Sequence, residues 1–226
     1  MTERLWGIVL FLPVPLVLFL FTRAPLGIGV SLLLGVPIMA THRLYARPFA
    51  LARAERRCLW CGRTLPPADP AAAAPAPGPG LLTVEEPLGT TRWRACAGPH
   101  EESARRFLGY AHDHAVGLKL GILLPLVVFL ATAGLVAVRY PWPVTYADAV
   151  NAFRLAIAGT VLPLSMAFAV RKVGRPSPAD PLPVPFPLHI QALVGTSVVV
   201  WAFRLVGLAW MALGLAYWAG RLGRLA

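Results

Sequence analysis

Apolar residues in this chain fall in long, nearly unbroken blocks rather than in the alternating patterns of half-buried strands or amphipathic helices. Leu5–Phe21 and Leu26–Ala40 form the first two blocks, separated only by Thr22-Arg23-Ala24-Pro25. They predict a tight pair of membrane helices, the first bent by Pro13 and Pro15. Gly117–Val138 and Tyr146–Val170 predict a third and a fourth span, joined by Arg139-Tyr140-Pro141-Trp142-Pro143, whose aromatic side chains suit the headgroup layer. The last block, His189–Trp218, exceeds one untilted span and carries Arg204. One tilted or broken helix there makes five spans with an outside C-terminus. A re-entrant pair would instead return Arg221 and Arg224 to the inner side. The fold class expected is mainly α: a polytopic helical membrane protein of about five spans.

Between the second and third blocks the chain turns polar. The expected division is therefore a transmembrane hairpin at residues 1–41, an aqueous module at 42–115 and a second helical region at 116–226. Two segments read as irregular: a Pro/Ala/Gly-rich insertion at 66–80, and a proline-rich extended connector at 173–188. Composition agrees with a lipid solvent. Hydrophobic residues make up 57% and charged residues only 14%, where a soluble domain carries about a quarter charged.

The net charge of +11 would suit a nucleic-acid partner, but its placement says otherwise. His42, Arg43, Arg47, Arg53, Arg56 and Arg57 crowd the exit of the second block. Arg105, Arg106 and Lys119 precede the third, and Arg171, Lys172 and Arg175 follow the fourth. Basic residues beside spans hold those ends on the cytoplasmic side. The module and the N-terminus are thus expected in the cytoplasm, with the lipid bilayer as partner and nucleic acid set aside. Abundant Arg, Ala and Pro suggest a GC-rich bacterial genome, hence the bacterial inner membrane.

The most specific local chemistry is Cys58-Leu59-Trp60-Cys61-Gly62. Two thiolates two residues apart on a glycine-relaxed turn can share one ion, and zinc needs four ligands in a tetrahedron. Cys96-Ala97-Gly98-Pro99-His100 offers the other two. The expected metal ligands are Cys58, Cys61, Cys96 and His100, with zinc as cofactor in a closed, structural shell. Leu81–Val84 and Thr90–Arg94 read as strands joined through Pro87-Leu88-Gly89, and Glu101–His114 reads as a helix with acids in its first turn. A redox pair is disfavoured because no thioredoxin-like βαβ pattern surrounds the cysteines, and haem attachment because Gly62 follows Cys61.

This order of knuckle, hairpin and ligand-bearing helix resembles treble-clef zinc modules, in particular the TRASH and YHS-type family. The likeness rests on Trp93-Arg94-Ala95-Cys96 and on His100 through Arg106-Phe107. It covers about Cys58 to Tyr110 and no membrane segment. His100 stands where the family has its last cysteine, and the insertion at 66–80 is extra. The resemblance implies a metal site of the kind proposed for metal sensing or trafficking.

Other polar residues suggest less. Glu101-Glu102 with Arg106 resembles the signature of CAAX-type membrane proteases, yet no matching intramembrane histidine follows, and helix-dipole complementation accounts for the acids. His112 and His114 diverge by about 200° on a helix and cannot share an ion. His42 and His189 fall at span ends. Asp148, Asn151 and Arg154 recur every third residue along the fourth block and, with Arg204, form a candidate intramembrane polar site.

No convergent catalytic set appears. The expected function is an integral membrane subunit or assembly scaffold with a structural cytoplasmic zinc site, partnered by other membrane or cytoplasmic subunits. Two alternatives are a small transporter or metal-handling protein using Arg204, and a membrane enzyme acting on lipid through its cytoplasmic histidines.

Overall fold

A computed structural model of the chain describes residues 37, 40–66, 80–87, 89–137, 145–170 and 182–223. The hairpin expected at residues 1–41 and most of the insertion at 66–80 lie outside them. A π-helical turn, His42–Ala46, leads into α1 (Arg47–Leu51) and a short 3-10 turn, Ala54–Arg56. The strands β1 (Leu81–Glu86) and β2 (Gly89–Arg94) precede α2 (Pro99–Asp113), α3 (Ala115–Ala137) and α4 (Tyr146–Val170). β3 (Leu182–Pro183), α5 (His189–Val194) and α6 (Thr196–Leu222) complete the chain. Two compact units result: Met1–Ala115 with Lys172–Val199, and Val116–Arg171 with Val200–Ala226.

The first unit is organised by the hairpin. Leu81 pairs with Arg94 and Glu86 with Gly89 in an antiparallel register, each strand running slightly further than its apolar residues predict. Alternation puts Leu82, Val84, Glu86, Thr91 and Trp93 on the buried face. The buried Glu86 carboxylate accepts bonds from the Thr91 hydroxyl (2.6 Å) and the Trp93 indole N–H (3.1 Å). β3 adds to the free edge of β1 in parallel, Val84 opposite Leu182 and Glu85 opposite Pro183. Prolines suit such an edge, where a missing N–H breaks no ladder. The proline-rich segment expected only as an extended connector is thus partly a strand, and its Phe186 packs on Phe107 of α2.

The π-helical turn has a local cause. Pro48 lacks an N–H and its ring crowds the carbonyl four residues back, so the preceding turn widens and the Arg47 N–H bonds the His42 carbonyl. α1 then packs on α5. Here the His42 and His189 rings meet with centroids 5.8 Å apart. Burial holds the His42 imidazole below its usual range. Burial, and then the neighbouring His42 and Arg47 charges, hold His189 at about 4. The folded-state value lies below the unfolded one, so His189 costs no stability above about pH 6.5 and an increasing amount as pH falls toward 4. In anion-free detergent solution the penalty should reach on the order of 2 kcal/mol. Chemical denaturation of wild type and His189→Gln across that window checks it: the wild-type curve should fall more steeply than the variant's, in which His42 still contributes.

In the second unit, α3, α4 and α6 alternate in direction. Gly121 of α3 lies against Thr160 and Leu164 of α4, while Phe129 of α3 packs on Phe153 near the start of α4. A methyl added at Gly207 would meet Leu162, and one at Gly214 would meet Leu155, so α6 runs antiparallel to α4. The two glycines and the two leucines are each seven residues apart, the spacing of knobs and holes along a helical seam. α6 therefore ends beside the start of α4.

Outward-facing positions of these helices are apolar. Leu120, Leu123, Leu124 and Leu130 on α3, and Trp201, Phe203, Leu205 and Leu215 on α6, are each more than half exposed. Water would not tolerate such a surface on a small monomer, and lipid would. Three helical stretches, Ala115–Thr132, Tyr146–Phe168 and Thr196–Leu222, are long and apolar enough to cross a membrane. The block His189–Trp218, considered above as one tilted helix, a broken helix or a re-entrant pair, breaks at Gly195 into a short α5 and a long α6.

Candidate metal centre

Residues 57–64 form a tight reversal. Arg57 bridges Thr64, the Cys58 N–H bonds the Arg63 carbonyl at 2.8 Å, and the Gly62 N–H returns to the Cys58 carbonyl at 2.8 Å. Gly62 closes the turn at φ +67°, where a side chain would be strained. The Leu59 N–H reaches the Arg94 carbonyl at 2.8 Å, tying the turn to the end of β2. Cys96 follows β2 directly. Gly98, at φ +80°, then caps α2, Pro99 takes the first helical position and His100 falls in the first turn.

These local choices bring Cys58, Cys61, Cys96 and His100 together, with one ligand atom from each lying within 4.8 Å of all the others. The Cys61 and Cys96 sulfurs are 3.9 Å apart. Two sulfurs on a tetrahedral zinc would be separated by roughly 3.8 Å, whereas a disulfide would need about 2.05 Å. All three cysteines are free thiols.

The electrostatics also favour a cation. Burial raises the Cys58 thiol, but hydrogen bonds from the backbone N–H groups and the thiols of Cys61 and Cys96 together outweigh it and hold the group below its ordinary value. One of these contacts is the Cys96 N–H at 3.3 Å from the Cys58 sulfur. Burial and the adjacent Cys58 and Cys61 sulfurs push Cys96 up to about 12. Three thiolates cannot coexist here without positive charge among them, and a bound dication would supply it while displacing protons.

The turn is also a docking surface within its unit. The Thr196 and Ser197 N–H groups donate to the Leu59 and Trp60 carbonyls at 2.9 and 3.0 Å. Their hydroxyls donate to the same carbonyls at 3.0 and 2.9 Å. The first N–H groups of a helix have no partner inside it. For α6 the Cys58–Gly62 turn provides that partner. The buried Arg57 guanidinium adds a 2.8 Å bond to the Leu193 carbonyl. Gly62 and Gly195 meet backbone to backbone: a Cβ on Gly195 would lie 2.9 Å from the Cys61 carbonyl carbon. Sequence reasoning missed this contact, although Gly195-Thr196-Ser197 inside an apolar block is itself a helix-start signal.

Other residues singled out above have plain partners. Glu101 pairs with Arg105 at 2.9 Å and Glu102 with Arg106 at 3.4 Å, so the acids serve α2. His112 Nδ1 lies 3.0 Å from the Pro183 carbonyl, while His114 stacks on Tyr110. Asp148 forms a capping box with Thr145: its carboxylate accepts from the Thr145 N–H at 2.6 Å, and its own N–H returns to the Thr145 hydroxyl at 3.2 Å. The same carboxylate accepts from the Tyr217 hydroxyl at 2.7 Å and faces Arg221 at 3.5 Å. Arg154 bonds Asn151 at 3.1 Å. Arg204 lies elsewhere, donating at 2.8 Å to the Ser165 carbonyl about three turns of α4 beyond Arg154. It is neither a helix break nor a neighbour of the Asp148 end.

No family model, curated protein or solved structure matches the chain.

Proposed function

We propose that this chain is a non-enzymatic subunit or assembly scaffold of the bacterial inner membrane, whose cytoplasmic Cys58-Cys61-Cys96-His100 centre holds structural zinc. The carrying observation is the contact of the metal-binding turn with the first turn of α6, a helix long and apolar enough to cross a membrane. A metal placed there stiffens the point at which a span leaves the aqueous module. Four protein ligands close the shell and leave no position for a reacting water. The knuckle, the hairpin and a helix with a ligand in its first turn support a treble-clef reading akin to the TRASH and YHS-type modules.

The alternating directions of α3, α4 and α6 support a five-span topology, once the two apolar blocks of residues 5–40 are added, with an outside C-terminus. Arg221 at that far end runs against the positive-inside bias, and its pairing with Asp148 offsets the charge. The partners would be other membrane or cytoplasmic subunits. Purification in mild detergent from native membranes tests the scaffold reading. One or more stoichiometric partners should stay with the wild type and leave when the metal is chelated. A lone chain, with or without chelator, would refute it.

A further inference from the structure

His42 and His189 take no part in the metal centre. They face each other across the π-helical turn and the start of α5, centroids 5.8 Å apart and ring planes at 56°. His189 is only 6% exposed, and all four ring nitrogens of the pair are buried without a hydrogen-bond partner among the described residues. A neutral imidazole has one N–H and one lone pair, so each of these neighbouring rings keeps an unmet donor and an unmet acceptor. Native proteins rarely leave such groups unpaired unless a water, an ion or a ligand meets them.

The surroundings select the ligand. Among the described residues the only group of three or more cysteine, histidine or acidic ligands is the Cys3His centre, so no carboxylate or thiolate joins this pair. Arg47 donates its backbone N–H to the His42 carbonyl and opens α1, the helix that packs on α5, so its positive charge belongs to the same corner as both rings. A cation would meet two imidazoles beside a guanidinium. An oxyanion would meet two N–H donors and a countercharge. The ring spacing is of the right size: two rings with centroids 5.8 Å apart, each donating to one oxygen at about 2.8 Å, would subtend roughly 100° there. We propose that His42, His189 and Arg47 form a binding site for a phosphate-type oxyanion. His42 lies just past the apolar run ending at Ala40, and His189 lies just before α6. A lipid headgroup phosphate and a free phosphate are therefore both available sources.

Ring-nitrogen NMR on the full-length protein, 15N-labelled at its five histidines and held in phospholipid-free maltoside, tests the site. Inorganic phosphate and short-chain phosphatidic acid are titrated separately. The His42 and His189 signals should shift saturably with at least one of them. A response to phosphatidic acid alone assigns the site to lipid, and a response to inorganic phosphate assigns it to the free anion. His189→Gln should weaken that binding by about tenfold or more while leaving the bound metal unchanged. If both rings stay still through saturating additions of either probe, or move only when zinc ions are added, the proposal fails. The wild-type titration needs no variant, so a misfolded mutant leaves the test intact.

Discussion

Replacing Cys96 by serine should empty the metal centre and release the start of α6 together. Cys96 contributes one sulfur to the cluster and its own N–H to the Cys58 sulfur, so the substitution removes one ligand of four and weakens the setting of a second. Structural zinc binds small modules with apparent free energies of about 10–16 kcal/mol, comparable to the whole stability of a domain. The first unit has a modest apolar core centred on Leu59, Val84, Trp93 and Leu188, and should not hold its turn without the ion. Metal analysis should find about one zinc per wild-type chain and little in Cys96→Ser. Amide exchange at Thr196 and Ser197, whose N–H groups sit on the Leu59 and Trp60 carbonyls, should accelerate by orders of magnitude in the mutant. Full zinc retention would remove Cys96 from the shell. Loss of zinc with unchanged exchange would separate the metal from α6 and undo the scaffold reading.

Gly195→Ala should be almost as damaging without touching a ligand. Gly195 sits at φ +102°, outside the range of other residues, and an added Cβ would approach the Cys61 carbonyl carbon, the Gly62 nitrogen and the Trp60 oxygen at 2.9–3.0 Å. All three are backbone atoms of the Cys58–Gly62 turn and cannot swing aside as side chains do. Conformational strain of about 1–3 kcal/mol adds to an overpacking cost of similar size. Gly98→Ala makes the control, because Gly98 has φ +80° but open space around its Cβ position. It should lose only the conformational part. Thermal unfolding in detergent, read alongside zinc content, distinguishes the two. Equal losses in both mutants would mean that the backbone contact between Gly195 and the turn contributes nothing.

The transporter alternative finds less support in the polar residues that prompted it. Asp148 is bonded to Thr145 and Tyr217, Arg154 to Asn151, and Arg204 to the Ser165 carbonyl. The Tyr217 and Arg204 contacts pin α6 to the two ends of α4, a stabilising use of polar groups in lipid. A guanidinium near the C-terminal end of α4 also complements the negative end of that helix.

Much of this protein was legible from its residues one after another, because the physics involved is local or periodic. Apolar blocks longer than a core helix imply a bilayer wherever they fold. A Cys-x-x-Cys-Gly turn and a Cys-x3-His pair at a helix start imply four ligand groups that can share one site, and they do gather, since turn and helix geometry set where those side chains point. What sequence could not settle were meetings between segments far apart in the chain. The parallel edge made by Leu182 and Pro183, the clasp of Thr196 and Ser197 on the metal turn, the facing of His42 and His189, and the separation of Arg204 from Asp148 each depend on which surfaces come together. No periodicity encodes such pairings. They follow from burying backbone carbonyls, glycine faces and ring edges against complementary partners, a choice made only once the whole chain has packed.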